Sequence, residues 1–466
     1  MIKTKKNNKK EKNMKIKTKG KIITSIIVIA VLLPLSHIGC VNDNGSDDTK
    51  GGVGTSGLAY THTGIDDCAV SIGMATATEI VIPAKCPEGH NVTAIASPTV
   101  DVNYDVEPPS IIFNGGFAGK TITSIKIPDS VTSINDIAFV ECTSLSSITI
   151  PDSVISIGYG AFNSCTALTS ITIGNGVTSI GDSAFSGCTN LASIIVDANN
   201  LNYSSENGIL YNKDKTTLLT YPSAKGAVTI PASVTVIGGS AFISCTALTS
   251  ITIPDSVISI GYGAFNGCTE LTNVSIGNGV TSIGNGAFSG CTALSSLIIP
   301  NSVTEINDNT FYNCSSLTNV SIGNSVTTIG IRAFFECIAL SSVIIPNSVT
   351  DIGEYAFFNC TDLTNVSIGN GITTINQSVF GSNKKNVNRL TSVTINATIP
   401  PSFGIIVFGN SNDYINSALK IFVPVGSASD YREANNLGSS VLYKHRIHAI
   451  GCVKDNAEAG STCDCN

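Results

Sequence analysis

Cysteine and histidine are the residues in this chain that could do chemistry. Nine of the 15 cysteines fall at one recurring position, with 23 residues between neighbours in each of two runs. The first run is Cys142, Cys165 and Cys188; the second is Cys245, Cys268, Cys291, Cys314, Cys337 and Cys360. Stacked thiols could serve a soft metal or a redox couple. Zinc sites, however, mix His with Cys or cluster four Cys in two pairs, and no His occurs in any repeat. Side-chain vectors that run parallel from coil to coil do not suit a disulfide. These cysteines therefore read as small residues facing a core. A second constellation, His62, Asp66, Asp67 and His90, could ligate a metal if it converged. Read as a polar cap facing water, it carries no metal, and His445 and His448 read as exposed residues of the other cap. No Gly-x-Ser-x-Gly elbow, phosphate loop or His-Glu-x-x-His motif is present. Acids such as Glu141, Glu270 and Glu354 sit at different repeat positions and form no catalytic pair. The expectation is no catalytic residue, no cofactor and no enzyme.

The elements that must position these residues are dictated by the 23-residue period. Units begin at Ile127, Ile150, Ile173, Ile230, Ile253, Ile276, Ile299, Ile322, Ile345 and Ile368, with an interruption at 196–229. The last unit is four residues longer and has Asn383 where the others have Cys. Ten of the 17 Phe occupy one unit position, from Phe139 to Phe380. Such a unit cannot bury its apolar side alone, so neighbours stack into one core. The L-x-x-I-x-I segment predicts a short strand with Leu145, Ile148 and Ile150 inward. The β-branched V-T-S-I-G segment predicts a second short strand or extended turn. The A-F-x-x-C segment predicts one helical turn. The fold class is a repeat solenoid of about ten coils, ~50 Å long at ~4.8 Å per coil. It is one elongated domain, with short strands and short helical turns.

The two ends of the chain differ in charge. Residues 1–39 hold ten Lys against Glu11, a formal +9, while the rest holds 16 basic and 32 acidic residues, a formal −16. An acidic working part excludes a nucleic-acid partner, which needs a basic footprint. Residues 22–35, IITSIIVIAVLLPL, are an apolar run of signal-peptide length behind a Lys-rich segment, too short and too interrupted by Pro34 for a membrane span. Export implies an oxidising compartment. Cys68 and Cys86 are then a possible disulfide in the N-terminal cap. Cys452, Cys463 and Cys465 leave the terminal pairing open, with an odd count.

Two resemblances follow from these residues. LSHIGC, ending at Gly39-Cys40, resembles a bacterial lipoprotein signal, with His37 where that motif has an aliphatic residue. The resemblance implies lipidation of Cys40 and contact with a membrane through that anchor only; ordinary cleavage and secretion are the alternative. The repeat IPDSVISIGYGAFNGCTELTNVS, from Ile253, resembles the BspA-like leucine-rich repeats. ENGILYNKDKTTLLTYPSAKG reads as a hairpin within that family's pattern, with strands around Gly208–Asn212 and Thr216–Tyr221. The expected organisation is a signal peptide at 1–39, a tether at 40–57, and a cap with a degenerate first coil at 58–126. The repeats follow at 127–394 with the hairpin insertion at 196–229, then a cap at 395–450 and a Cys-containing tail at 451–466.

Outward positions of the first strand form the candidate binding face. They are Ser147 and Thr149, Ser170 and Thr172, Ser250 and Thr252, Asn273 and Ser275, Asn319 and Ser321, and Asn365 and Ser367, with Ile195, Ile298 and Ile344 interspersed. This face is rich in hydroxyls and amides and almost uncharged, which suits broad multi-point contact better than a deep small-molecule site. Tyr159, Tyr262, Tyr312 and Tyr355 are candidate aromatic anchors. The BspA-like resemblance implies adhesion at the cell surface or outer membrane, with extracellular-matrix or plasma proteins, or glycans and proteins of other cells, as partners. An envelope-organising protein that contacts polysaccharide is the alternative. An enzyme with a site around His62 and His90 comes third.

Overall fold

The computed structural model describes residues 54–73, 75, 77–103, 110–114, 116–383, 389–409, 416–433 and 446–450. The segments expected to be the signal peptide, Cys40, most of the tether, His445 and the cysteines of the tail lie outside the described residues. The described residues belong to one compact unit, a succession of coils in which each coil contributes a long strand, a short strand and a turn side.

The L-x-x-I-x-I segments form the long strands, such as Ser147–Ile150, Ser170–Ile173 and Ser250–Ile253. They pair in parallel with their nearest copies in strict register, for example Ser170 with Ser147 and Ile171 with Ile148. Alternation does the sorting: in Ser147–Ile150 the two Ile are buried while Ser147 and Thr149 are exposed. The V-T-S-I segments form two-residue strands such as Ser156–Ile157, Ser259–Ile260 and Ser282–Ile283, again in parallel. The Gly after the short strand is required by close approach. A Cβ on Gly284 would lie 2.6 Å from the backbone N of Tyr262 in the preceding coil. Where Asn replaces it, the side chain returns the favour: Asn376 Nδ2 donates to Ile352 O at 3.0 Å.

The A-F-x-x-C side turns as expected but is not a helix. Two residues per coil take a positive φ, as at Gly160 (57°) and Ser164 (60°), which breaks any helical run. The reason is a third set of inter-coil bonds. The N–H groups two before Phe, of Phe itself and two after it donate to the next coil, as Gly160 to Asp182 O, Phe162 to Ala184 O and Ser164 to Ser186 O. A helix would direct those donors along its own axis. Among the described residues the one α-helix is Ala428–Glu433, in the C-terminal cap.

The phenylalanine spine is a column of stacked rings. Neighbours from Phe139 to Phe162 lie 5.2 Å apart and nearly parallel, and Phe265 and Phe288 are 5.0 Å apart at 3°. The caps continue it with Phe117 at one end and Phe408 at the other. The caps also extend the ladders: Glu79–Val81 pairs with Ser124–Lys126, and Lys420–Val423 pairs with Ile447–Ala449.

The insertion does more than interrupt the count. It forms three antiparallel strands, Tyr203–Glu206, Ile209–Asn212 and Thr217–Thr220, and the last joins the short-strand ladder beside Val236–Ile237. The middle strand is buried on both faces. Leu210 belongs to the core on the N-terminal side, whereas Ile209 and Tyr211 belong to the core on the C-terminal side. The core is thus two clusters, 68–194 with Leu210 and 209–447 without it. Nearest-neighbour coupling in a solenoid then predicts two cooperative units. In hydrogen exchange under graded denaturant, amides of 68–194 and 230–423 are expected to open at different denaturant concentrations. One shared opening transition would refute this.

Candidate functional site

The expected binding face is assembled as a ladder. Ser147, Thr149, Ser250, Thr252, Asn273, Ser275, Asn319, Ser321 and Asn365 are exposed, while Ser170, Thr172 and Ser367 are partly covered. Their rows are set by strand register: Ser250 opposite Asn273 and Thr252 opposite Ser275, Ser296 opposite Asn319 and Ile298 opposite Ser321. Ile298 and Ile344 stand out of the sheet at 70% and 71% exposure, an apolar element within an otherwise hydroxyl and amide surface. The last Thr before each strand, such as Thr169, Thr272, Thr318 and Thr364, donates its Oγ1 to the coil before it. Those hydroxyls are committed to the scaffold, whereas the Ser147 and Thr149 side-chain hydroxyls have no hydrogen-bond partner among the described residues.

The tyrosines do not join that face. Tyr159 and Tyr262 project from the corner between the short strand and the turn side, at 52% and 61% exposure, in two coils of nearly identical sequence. Tyr312 lies on the turn side, one residue past the spine, and stacks on Phe335 at 5.0 Å and 2°. Phe335 stacks on Phe358 at 5.5 Å, Tyr355 meets Phe358 edge-on, and the Arg332 guanidinium lies over Phe335 and Tyr355. Phe335, Phe358 and Arg332 were not singled out by sequence reading. Their signal was present, because aromatics at 312, 335 and 358 repeat the 23-residue period one step after the spine.

The cysteine ladder is fully interior. Each thiol donates to the carbonyl of the spine residue one coil earlier, as Cys165 to Phe139 O (3.1 Å), Cys268 to Phe242 O (3.0 Å) and Cys337 to Phe311 O (3.3 Å). Burial pushes the Cys245 and Cys314 thiols up to about 12, so they are not thiolates at neutral pH. The repeated acids also serve the scaffold. Asp152 Oδ1 accepts from Asn175 N and Asp255 Oδ1 from Asn278 N, closing the I-P-D turn onto the following coil.

In the N-terminal cap, Cys68 and Cys86 are buried side by side as free thiols, and burial pushes the Cys68 thiol up to about 12, with Cys86 adding to the rise. His62 and His90 meet edge to face at 4.9 Å, and Asp66 Oδ1 lies 3.8 Å from His90 Nδ1. Among the described residues no three His, Cys, Asp or Glu side chains are disposed to hold a metal ion. His448 lies against Phe422 in the C-terminal cap, half-buried, where burial and then Lys420 and Arg432 lower its pKa. No helix among the described residues is long and apolar enough to cross a membrane.

A coil with a long parallel strand, a buried Phe–Cys turn and a 23-residue repeat matches the model for the BspA type leucine-rich repeat region, over residues 110–225, 221–337 and 282–414. The chain belongs to the BspA type leucine-rich repeat family. Among solved structures, the chain is similar to the pneumococcal vaccine antigen PcpA at 21% identity, covering 86% of this chain and 99% of that one, with a TM-score of 0.49. A leucine rich cell surface protein from Faecalibacterium prausnitzii is 26% identical, covering 66% and 96% of the two chains, with a TM-score of 0.35. A leucine-rich repeat protein from Eubacterium ventriosum is 25% identical, covering 65% and 93%, with a TM-score of 0.41. No curated protein matches the chain. Leucine-rich repeat solenoids are typically non-enzymatic binding scaffolds, and it is the repeat array that the family match covers.

Proposed function

We propose that this BspA type repeat protein is exported, is held at the cell surface by a lipid on Cys40, and binds macromolecules of a host or of other cells through its long-strand face. The observation that carries this reading is the in-register ladder of exposed, uncharged Ser, Thr and Asn side chains. Asn273 and Asn365 each donate to the neighbouring Thr hydroxyl, and the exposed groups repeat along the array, so many weak contacts add through multivalency. Matrix proteins, plasma proteins and surface glycans are the partners that offer equally repetitive polar surfaces. The surface relative from Faecalibacterium is described as a cell surface protein, which agrees with an exposed location.

The test uses the mature chain, residues 41–466, against immobilised matrix and plasma proteins, beside the variant Thr252→Glu/Ser275→Glu/Ser321→Glu. All three sites are exposed, so the fold should tolerate the charges. Saturable binding that falls at least tenfold in the variant supports the assignment to this face. Equal binding by both proteins moves the site elsewhere. On intact cells, protease shaving should release the repeats; full protection would favour an envelope-organising role instead.

A further inference from the structure

One coil breaks the turn-side ladder. In every other regular 23-residue coil from 137 to 382, three alternate N–H groups donate to the next coil, for instance Ser240, Phe242 and Ser244 to the carbonyls of Tyr262, Ala264 and Asn266. In the coil that begins at Ile173, the equivalent N–H groups of Ser183, Phe185 and Gly187 have no partner among the described residues. Across the gap, the carbonyls of Gly239 and Ile243, which would accept the matching bonds, also have none. Phe185 is only 3% exposed, so its amide is shielded from bulk water. A buried unpaired N–H has given up water without a replacement bond, a state that native proteins rarely leave standing.

The cause is a length difference. From the short-strand Ile to the spine aromatic, regular coils take five residues, as Ile180 to Phe185 and Ile237 to Phe242. The insertion takes three, from Leu218 to Tyr221. Its Tyr221 still reaches the spine, stacking on Phe242 at 4.8 Å and donating to Ala241 O at 2.7 Å. Leu219 and Ser223, two residues to either side of it, line the crevice, but their N–H groups make no matching bond among the described residues. A cavity of about 90 Å³ lies there, walled by the 180–186 and 238–243 segments and floored by Ala184, Leu210, Leu219 and Tyr221. Two coil spacings, about 9.5 Å, separate its walls. The Ser183 and Ser240 hydroxyls, 3.3 Å apart, bridge it.

We propose that this crevice is a peptide-binding site that takes a short backbone segment of a partner protein as the missing rung. Its two walls offer what a peptide strand needs. Donors line one side (Ser183 and Phe185, with Gly187 next to the lining residue Ser186) and acceptors the other (Gly239, Ile243), at alternate residues. The same two rows, wherever else they occur in this molecule, are satisfied by peptide groups. The walls also select side chains. Ala184, Gly238, Gly239 and Ala241 leave room for Gly, Ala or Ser, and Tyr221 already fills the aromatic position. The lining holds one carboxylate, Asp182, and no cation, so the segment is uncharged or weakly basic. This site is distinct from the long-strand face and does not depend on what that face binds.

The probe is a capped pentapeptide, Gly-Ser-Ala-Gly-Ser, titrated to millimolar concentration into the isotope-labelled mature chain. Saturable amide shifts at Ser183, Phe185 and Gly187 are expected, together with slowed hydrogen exchange there. No shift, with exchange unchanged, overturns the proposal and leaves water as the occupant. Shifts produced equally by a short maltooligosaccharide would overturn it too, because a backbone-specific site should not accept a sugar. A second variant inserts Gly-Gly between Leu219 and Thr220 and restores the regular spacing. It should protect the same three amides without peptide and abolish the peptide shifts. Peptide shifts that persist unchanged in this folded variant count against the site, and if the variant does not fold, the titration of the natural chain still decides.

Discussion

Raising the pH through about 9 to 11 is expected to unfold the C-terminal core cluster, with half of its far-UV signal lost near the middle of that range. The thiols of Cys245, Cys268, Cys291, Cys314, Cys337 and Cys360 are pushed up chiefly by burial, and that of Cys165 chiefly by its hydrogen-bonded neighbours Cys142 and Cys188. An unfolded thiol ionises near its ordinary value of 9.0, whereas burial pushes the folded Cys245 and Cys314 thiols up to about 12. The folded value is raised, so the contribution is complete below the unfolded value and is lost as pH rises. One pH unit above it, each thiol withdraws about 1.4 kcal/mol from the folded state. The six in the C-terminal cluster withdraw on the order of 8 kcal/mol, comparable to the whole stability of a typical domain. Circular dichroism across a pH series under reducing conditions measures this. A chain that keeps its signal at about pH 11 would show that the thiols ionise in place and that the core admits water.

Truncating one ring of the spine carries the second large effect. Phe288 is fully buried and stacked between Phe265 at 5.0 Å and Phe311 at 5.6 Å. Phe288→Ala should cost about 3–5 kcal/mol, from lost transfer energy, lost ring contacts and a cavity that neighbouring rings cannot fill. Phe335→Ala, in the half-buried outer stack, removes a ring that is already partly wet and should cost clearly less. Chemical denaturation of the two variants compares them directly. Equal losses would mean that the outer aromatic column carries the scaffold as much as the spine does. The effect of Phe288→Ala should also stay within the C-terminal cluster, leaving the opening of 68–194 unchanged, because each coil contacts only its neighbours.

Much of the scaffold was legible because it depends on a single coil. Apolar alternation in L-x-x-I-x-I assigns the faces of Ser147–Ile150 without knowledge of any neighbour, and all ten spine Phe are buried in stacks as their period requires. The turn side was misread as helical because A-F-x-x-C has helical spacing. Its geometry is set instead by donors that face the next coil, a relation between residues 22 apart. The cysteine position was correctly placed inside, but its thiol bond to a carbonyl 26 residues back is likewise invisible in one unit. The tyrosines were grouped by type, yet stacking assigns Tyr312 to an aromatic column and Tyr159 to an isolated corner.

Period, spine and outward positions follow from the amino-acid order, since each coil must bury the same side chains whatever stands above it. The insertion shows where that sufficiency ends. Read along the chain, 196–229 is a hairpin within a repeat. Stacked between two coils, its two-residue deficit divides the core, leaves the amides of Ser183, Phe185 and Gly187 without a partner among the described residues, and opens a cavity lined by Ser183 and Phe185. A length difference becomes a site only when the neighbours it fails to reach are brought opposite one another, and that is a property of the packed array.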